Sequence, residues 1–368
     1  MKSRTSITDL FDDAKYNNKY VKVCAPMVRY SKVQFRTLNE KARSSEFCTT
    51  VNDSPLIVQF AANNQDDFVD ASKLVYPYAD GIDLNCGCPQ RWAMKDGYGC
   101  ALLSKPEVIH DFVRGIRGSL PNNFSVSVKI RILKELKRTI DLCRQLEMCG
   151  VTFLTVHGRT PSQKSSEKID TEALKEVIAS VSVPVIANGG VKTLLDADRL
   201  HKEVNCDGVM AASAILANPT LFSGTSRTPH SCVKLWMDFK NEASEKITFQ
   251  CYHHHLVFML DKLLTKAQKN EFNSLSTFEC VDEYVREHVL DSQDCVLDYE
   301  HRLGEFIECK FSDEITLKHS SKCRGCGKST CYCICNVYDY DASDGAFFTS
   351  RVTNDSLDYM DSSLFDED

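Results

Sequence analysis

Residues 125–160 read SVSVKIRILKELKRTIDLCRQLEMCGVTFLTVHGRT, and this stretch decides the fold. Ser125–Ile132 is a run rich in Val and Ile. Leu136, Ile140, Cys143 and Leu146 then recur at helical spacing over about 134–149, Gly150 follows as a C-cap, and Thr152–Val156 is a second β-branched run. A strand, a helix and a strand in that order, with strands apolar throughout rather than alternating, is a parallel unit buried on both faces. The same unit repeats outward. Further strands are expected at Val21–Cys24, Leu56–Phe60, Gly81–Asn85, Val183–Ala187 and Gly208–Met210, with helices over 31–43, 65–77, 105–118, 171–180 and 193–203.

Seven strands are one short of a closed (β/α)8 TIM barrel. The gap lies between the helix starting at Ser31 and the strand at Leu56, where only Phe47–Val51 offers strand character and Glu46, Asn52 and Asp53 flank it. The expected architecture is a barrel over residues 20–224 whose second strand is missing or degenerate, preceded by an N-terminal segment, 1–19. Beyond it, helical periodicity at Tyr252–Leu264 and Phe272–His288 predicts a small helical domain over 225–288. Residues 289–368 form a cysteine-bearing, acidic extension without the apolar density to fold alone.

The chain has 368 residues, of which 43% are hydrophobic and 26% charged, and its formal charge is −7. No apolar run reaches the ~20 residues that span a bilayer, and the N-terminus lacks a signal-type apolar core. A monomer in the cytoplasm, with the nucleus as the alternative, is the expectation. In that setting the 18 cysteines are reduced thiols rather than a disulfide framework. The charge is localised: residues 336–368 hold nine acidic residues and one Arg, which leaves about +1 for the rest, so an RNA partner is not excluded.

In such barrels the chemistry sits at the C-terminal strand ends. Those positions here are Ala25-Pro26-Met27, Gln59, Asn85 with Gly87-Cys88-Pro89, Lys129 and Arg131, His157 with Arg159, Asn188-Gly189-Gly190 and Ala211-Ala212-Ser213. Turn chemistry accounts for the glycines but not for Gln59, Lys129 and His157 together. Small residues after the last two strands suit backbone phosphate binding, and Lys129 places a cation near the centre of that face. A flavin phosphate and a sugar phosphate both fit these features.

The runs VCAPMVRYSKVQFRTL, PLIVQFAANN, GIDLNCGCPQRWAMKDGYGCALL, VSVKIRI, VTFLTVHGRT, VPVIANGG and DGVMAASAILANPTLF resemble the tRNA-dihydrouridine synthase family, most closely the eukaryotic dihydrouridine synthase 4 type. The likeness covers about residues 20–288. It implies an FMN-dependent barrel with a tRNA-binding helical domain. The implied reaction is NADPH-linked reduction of the uridine C5=C6 bond in the tRNA D-loop, at positions 20a and 20b. Carried over residue by residue, Cys88 matches the proton donor to C5, and Asn85 and Arg131 match residues holding the uracil edge. Pro26, Met27, Val28, Gln59, Lys129, His157, Asn188, Gly189 and Gly190 match flavin contacts, with Ala212 and Ser213 at the phosphate.

Three departures qualify the match. The segment carrying the second strand is largely absent, the family's Gly-Arg pair after the last strand is Ala212-Ser213, and the C-terminal 80 residues have no counterpart in the resemblance. Loss of that guanidinium predicts weaker flavin binding. Cys323, Cys326, Cys331, Cys333 and Cys335 have the ligand count for zinc but not two spaced pairs, so redox-sensitive thiols compete with a metal site. His253-His254-His255, with Lys262, Lys266 and Lys269, offers tRNA contacts or only a helix surface. The competing functions are a tRNA-binding homologue with impaired catalysis and a flavin barrel acting on a free pyrimidine.

Overall fold

The computed structural model describes residues 4–27, 47, 49–242, 247–290, 306–307 and 309. The expected helix over 31–43, Val28 and the cysteines from Cys323 to Cys335 lie outside the described residues. Within them, seven parallel strands curl into one sheet of order β1-β8-β7-β6-β5-β4-β3: β1 (Val21–Cys24), β3 (Ile57–Phe60), β4 (Gly81–Cys86), β5 (Ser125–Arg131), β6 (Phe153–His157), β7 (Val185–Asn188) and β8 (Gly208–Ala211). This is the expected barrel-type sheet, and each strand matches its sequence assignment to within two residues. Helices α2 (Gln65–Val75), α4 (Pro106–Ser119), α5 (Leu136–Cys149), α6 (Thr171–Ala179) and α7 (Leu194–Val204) pack on its outer face, with the short α3 (Arg91–Lys95) after β4. In α5, Thr139, Leu142, Cys143 and Leu146 face the sheet, and Gly150 ends the helix at φ +93°, a conformation that costs glycine nothing.

The missing strand has a different outcome from the one expected. Thr49–Thr50 does form a two-residue strand, β2, but it joins no barrel strand; it pairs antiparallel with β9, Phe306–Ile307. Part of the extension expected to lack structure therefore serves as a strand. The reason is local apolar density: Phe47 is buried against Tyr78 with centroids 6.2 Å apart, Phe306 meets Phe239 at 5.9 Å, and Cys309 packs on the main core. Among the described residues, no strand bridges β1 and β3.

Helix α1 (Ile7–Tyr16) was not foreseen. Ser6 caps it by accepting from the Asp9 N–H, and its Ile7 and Phe11 plug the lower barrel interior against Phe153, Ile186 and Met210. The Phe11 and Phe153 rings lie 5.6 Å apart. Burying two such side chains stabilises the fold by about 1.5–3 kcal/mol each. Asp80 anchors the approach to this helix, accepting from the Thr5 N–H at 2.6 Å and the Leu56 N–H at 2.7 Å.

A second hydrophobic cluster unites α9 (His230–Glu242), α10 (Phe249–Met259), α11 (Lys266–Asn273) and α12 (Phe278–Val285) around Tyr252, Leu256, Phe272 and Val281. The helices expected at Tyr252–Leu264 and Phe272–His288 are divided differently, because cap residues intervene. Thr265 and Gln268 form a capping box that starts α11, and Thr277 accepts from the Cys280 N–H to start α12. No helix among the described residues is long and apolar enough to cross a membrane.

Candidate active site

Side chains alternate across β4. Ile82, Leu84 and Cys86 join the core under the helices, which leaves Asp83 and Asn85 on the barrel interior. The same parity on β5 puts Ser127, Lys129 and Arg131 inside, on β6 Thr155 and His157, and on β7 Asn188. The interior thus changes from an apolar floor to a polar mouth at the C-terminal strand ends.

The Gly87–Cys88 turn leaving β4 is clamped from several directions. Asn85 Oδ1 accepts from the N–H groups of both Gly87 and Cys88, each at 3.0 Å. Arg131 Nε donates to the Gly87 carbonyl at 2.9 Å, and the Cys100 N–H donates to the Cys88 carbonyl at 2.9 Å. Gly99 adopts φ +60°, and a Cβ there would stand 2.5 Å from the Cys88 oxygen, so the approach that holds this turn requires glycine. Cys88 itself is 5% exposed. Its two cysteine neighbours are poor proton donors: burial pushes the Cys100 thiol up to about 11 and the fully buried Cys86 well above its usual value.

Behind the turn lies a polar relay. Asn85 Nδ2 donates to Gln59 Oε1 at 2.8 Å, Gln59 Nε2 donates to Asp83 Oδ2 at 2.7 Å, and Ser127 Oγ donates to Asp83 Oδ1 at 2.5 Å. Asp83 and Ser127 escaped the sequence reading. The available signal was period-two spacing, since Asp83 stands two residues before Asn85 and Ser127 two before Lys129.

Lys129, Arg131 and Arg159 are all buried around His157. Arg159 Nη1 lies 3.2 Å from His157 Nε2. A guanidinium only donates, so Nε2 accepts and the ring proton sits on Nδ1. Burial first, then the Arg131, Lys129 and Arg159 charges, hold His157 well below its usual value, and the ring is neutral. Asn188 is its register partner on β7. Two fully buried atoms of this pair, His157 Nδ1 and Asn188 Oδ1, have no protein partner. One is a donor and one an acceptor, and groups this buried are ordinarily satisfied. Gly189 and Gly190 follow at φ +112° and +73°, and a Cβ on Gly189 would come within 2.8 Å of the His157 ring.

Of the other expected residues, Met27 and Ala212 are buried in the interior cluster, Pro26 is half-buried at the end of β1, and Ser213 opens the short helix α8 (Ser213–Ala217). In the helical region His253 is buried, donates from Nε2 to the Phe272 carbonyl at 3.0 Å and stacks on Phe272, so packing occupies it. Lys269 pairs with Asp261 at 2.6 Å. Among the described residues no three His, Cys, Asp or Glu side chains gather as metal ligands. A cavity of about 300 Å³ lined by Arg4, Thr8, Asn122 and Thr152 opens at the opposite, N-terminal strand ends, far from this chemistry.

The dihydrouridine synthase family model matches residues 14–296. A mouse protein named tRNA-dihydrouridine(20a/20b) synthase (NAD(P)+)-like is 45% identical over 298 residues, which is 75% of this chain and 91% of the relative. Its human counterpart is 43% identical across 74% and 92%. The fission yeast tRNA-dihydrouridine(20a/20b) synthase of Schizosaccharomyces pombe is 37% identical across 73% and 87%. Among solved structures, an old yellow enzyme homologue from Zymomonas mobilis overlaps 43% of this chain and 50% of its own, at 16% identity and a TM-score of 0.35.

Proposed function

This chain belongs to the dihydrouridine synthase family, and from that premise we propose that it is an NADPH-dependent, FMN-dependent reductase of the D-loop uridines 20a and 20b of tRNA. The observation that carries the proposal is the clamped Cys88 turn, which opens on the same barrel mouth as the unpartnered His157 Nδ1 and Asn188 Oδ1. A flavin fits that mouth. Its polar ring edge and ribityl chain offer both acceptors and donors to these two atoms, and Lys129 supplies a cation suited to an electron-rich ring. When bound, reduced FMN supplies the hydride that adds to C6 of uracil.

The remaining work falls to the chain. Cys88 Sγ gives a proton to C5 as C6 is reduced, so charge never accumulates as a free enolate. The hydrogen bonds to both sides of the Cys88 peptide fix where that sulfur stands, which is the geometric condition for concerted transfer. Asn85, through its second Nδ2 hydrogen, and Arg131, through its charge, are the residues proposed to hold the uracil edge. The target base must leave its stack to reach this mouth, and the neutral His157 keeps the net cationic character there carried by Lys129, Arg131 and Arg159. The helical cluster of α9–α12 is proposed as the tRNA-facing part.

The test is NADPH-dependent formation of dihydrouridine in unmodified tRNA, read position by position, with Cys88→Ala as control. A second reading, a tRNA-binding homologue with impaired catalysis, is favoured by the unbridged β1 and β3 among the described residues. Protein purified without flavin absorbance, still binding tRNA and making no dihydrouridine, would select it.

A further inference from the structure

Three side chains behind the Cys88 turn form a hydrogen-bonded line with one polarity. At one end stands Asp83, whose ionised carboxylate can only accept. At the other stand the Gly87 and Cys88 N–H groups, which can only donate. Between them are two amides, Gln59 and Asn85, each able to present either end. Asp83 compels Gln59 to offer Nε2, so Oε1 faces Asn85; Asn85 must then offer Nδ2, and Oδ1 is left facing the turn. Turning either amide over would set N–H against N–H or oxygen against oxygen in a buried site, an expensive arrangement.

We infer that Asp83 is a positioning residue for the reaction: its acceptor-only carboxylate orients Gln59 and Asn85 and so holds Cys88 where it meets the uracil. The inference rests on the reading of Cys88 as proton donor. Support comes from the company Asp83 keeps. It is only 5% exposed, and burial pushes its carboxyl up to about 6, against the lowering pull of Ser127, Gln59 and Lys129. A buried carboxylate disfavours the fold at neutral pH, whereas a neutral side chain of the same shape would not. Lys129 on β5 is the charged group facing it, and Cys86 on its own strand feels its charge. A proton on Asp83 gives that end of the line a donor, and the single polarity is no longer enforced.

The test uses the full chain and two readouts. In the protein alone, hydrogen exchange reports protection of the Gly87 and Cys88 amides; with FMN, NADPH and unmodified tRNA, stopped-flow absorbance reports flavin reduction and tRNA-dependent reoxidation separately. Asp83→Asn is expected to lower amide protection about tenfold and slow reoxidation about tenfold, with flavin reduction by NADPH unchanged and the loss of rate below about pH 6 removed. Ser127→Ala leaves the carboxylate in place and is expected to stay within about twofold of wild type, which mere packing damage would not permit. The exchange Asp83→Asn with Gln59→Glu restores an acceptor facing Asn85 and is expected to recover most of both losses. Asp83→Asn with protection and reoxidation within twofold of wild type overturns the inference, as does a Ser127→Ala loss of equal size. If Asp83→Asn does not fold, the double exchange decides, and a loss of both readouts there overturns it. Cys88→Ala run alongside separates the two ideas: a wild-type reoxidation rate there removes the proton donor, while the amide exchange still tests the relay.

Discussion

Asn85 Oδ1 accepts the Cys88 N–H at 3.0 Å, and the same oxygen accepts from Gly87. One side chain therefore satisfies two backbone donors of the turn that carries the candidate proton donor. Asn85→Ala leaves both without a partner, each worth about 1–3 kcal/mol when buried. The expected result is a fall in kcat for tRNA reduction of about 10–100-fold, measured as initial rates at saturating NADPH. Wild-type kcat in this variant would remove the clamp from the mechanism.

Cys88→Ala deletes the thiol while keeping the turn, because the hydrogen bonds that clamp it are made to main-chain atoms of Gly87 and Cys88. General acid catalysis contributes about 10²–10⁴-fold, and the loss should fall in that range. Flavin content should stay at the wild-type level. Cys86→Ala and Cys100→Ala, whose thiols burial keeps protonated and packed, are expected to change kcat little and stability instead.

The barrel was legible from sequence because its strands are continuously apolar and its helices strongly periodic, as in Ser125–Cys149. The strand-end residues were legible because parallel barrels concentrate chemistry there. The relay was not, since Asp83 and Ser127 sit below the mouth in runs that read as plain strand, and only the paired register of β3, β4 and β5 brings Gln59, Asp83 and Ser127 side by side. Helix α1 was passed over because its two core residues, Ile7 and Phe11, are four apart in an otherwise charged segment. The partner of Thr49–Thr50 lies some 250 residues away in sequence, beyond the reach of local periodicity.

Asp83 also sets a pH dependence of stability. Its folded value is about 6 against an ordinary 3.8, so between those pH values the folded state binds more protons than the unfolded one. Stability from this group is therefore present below about pH 4 and lost as pH rises to about 6, a swing on the order of 3 kcal/mol. His157 acts with the opposite sign, since its lowered value makes acidification below about 6.5 destabilising. The difference between Asp83→Asn and wild type isolates the first effect. Urea unfolding should show the variant gaining relative stability from pH 4 to 6, and a constant difference would contradict the buried charge.

Ser213 follows β8 at the position where the resemblance expects an arginine. Lys129, Arg131 and Arg159 already occupy the mouth, but a bidentate guanidinium is the stronger phosphate partner. Ser213→Arg is expected to tighten FMN retention about tenfold, read by flavin fluorescence on dilution. Unchanged retention would place the phosphate elsewhere.

Phe306 and Ile307 pair with Thr50 and Thr49, and the residues around them lie on two sides: Phe47 and Cys309 in the barrel core, Phe239 on helix α9. A two-residue ladder supplies few hydrogen bonds, so its persistence depends on the aromatic contacts around it. Phe306→Ala removes the ring that meets Phe239 but not the backbone pairing, whereas Phe306→Pro removes the N–H as well. Half-buried aromatic surface of this kind is worth about 1–2 kcal/mol, so Phe306→Ala should lower Tm by a few degrees. Phe306→Pro should lower it further and speed protease cleavage around residues 49–54, where β2 loses its partner. Equal Tm and cleavage in both variants would show that β9 contributes nothing to holding this edge. A drop confined to Phe306→Pro would instead assign the whole effect to the ladder.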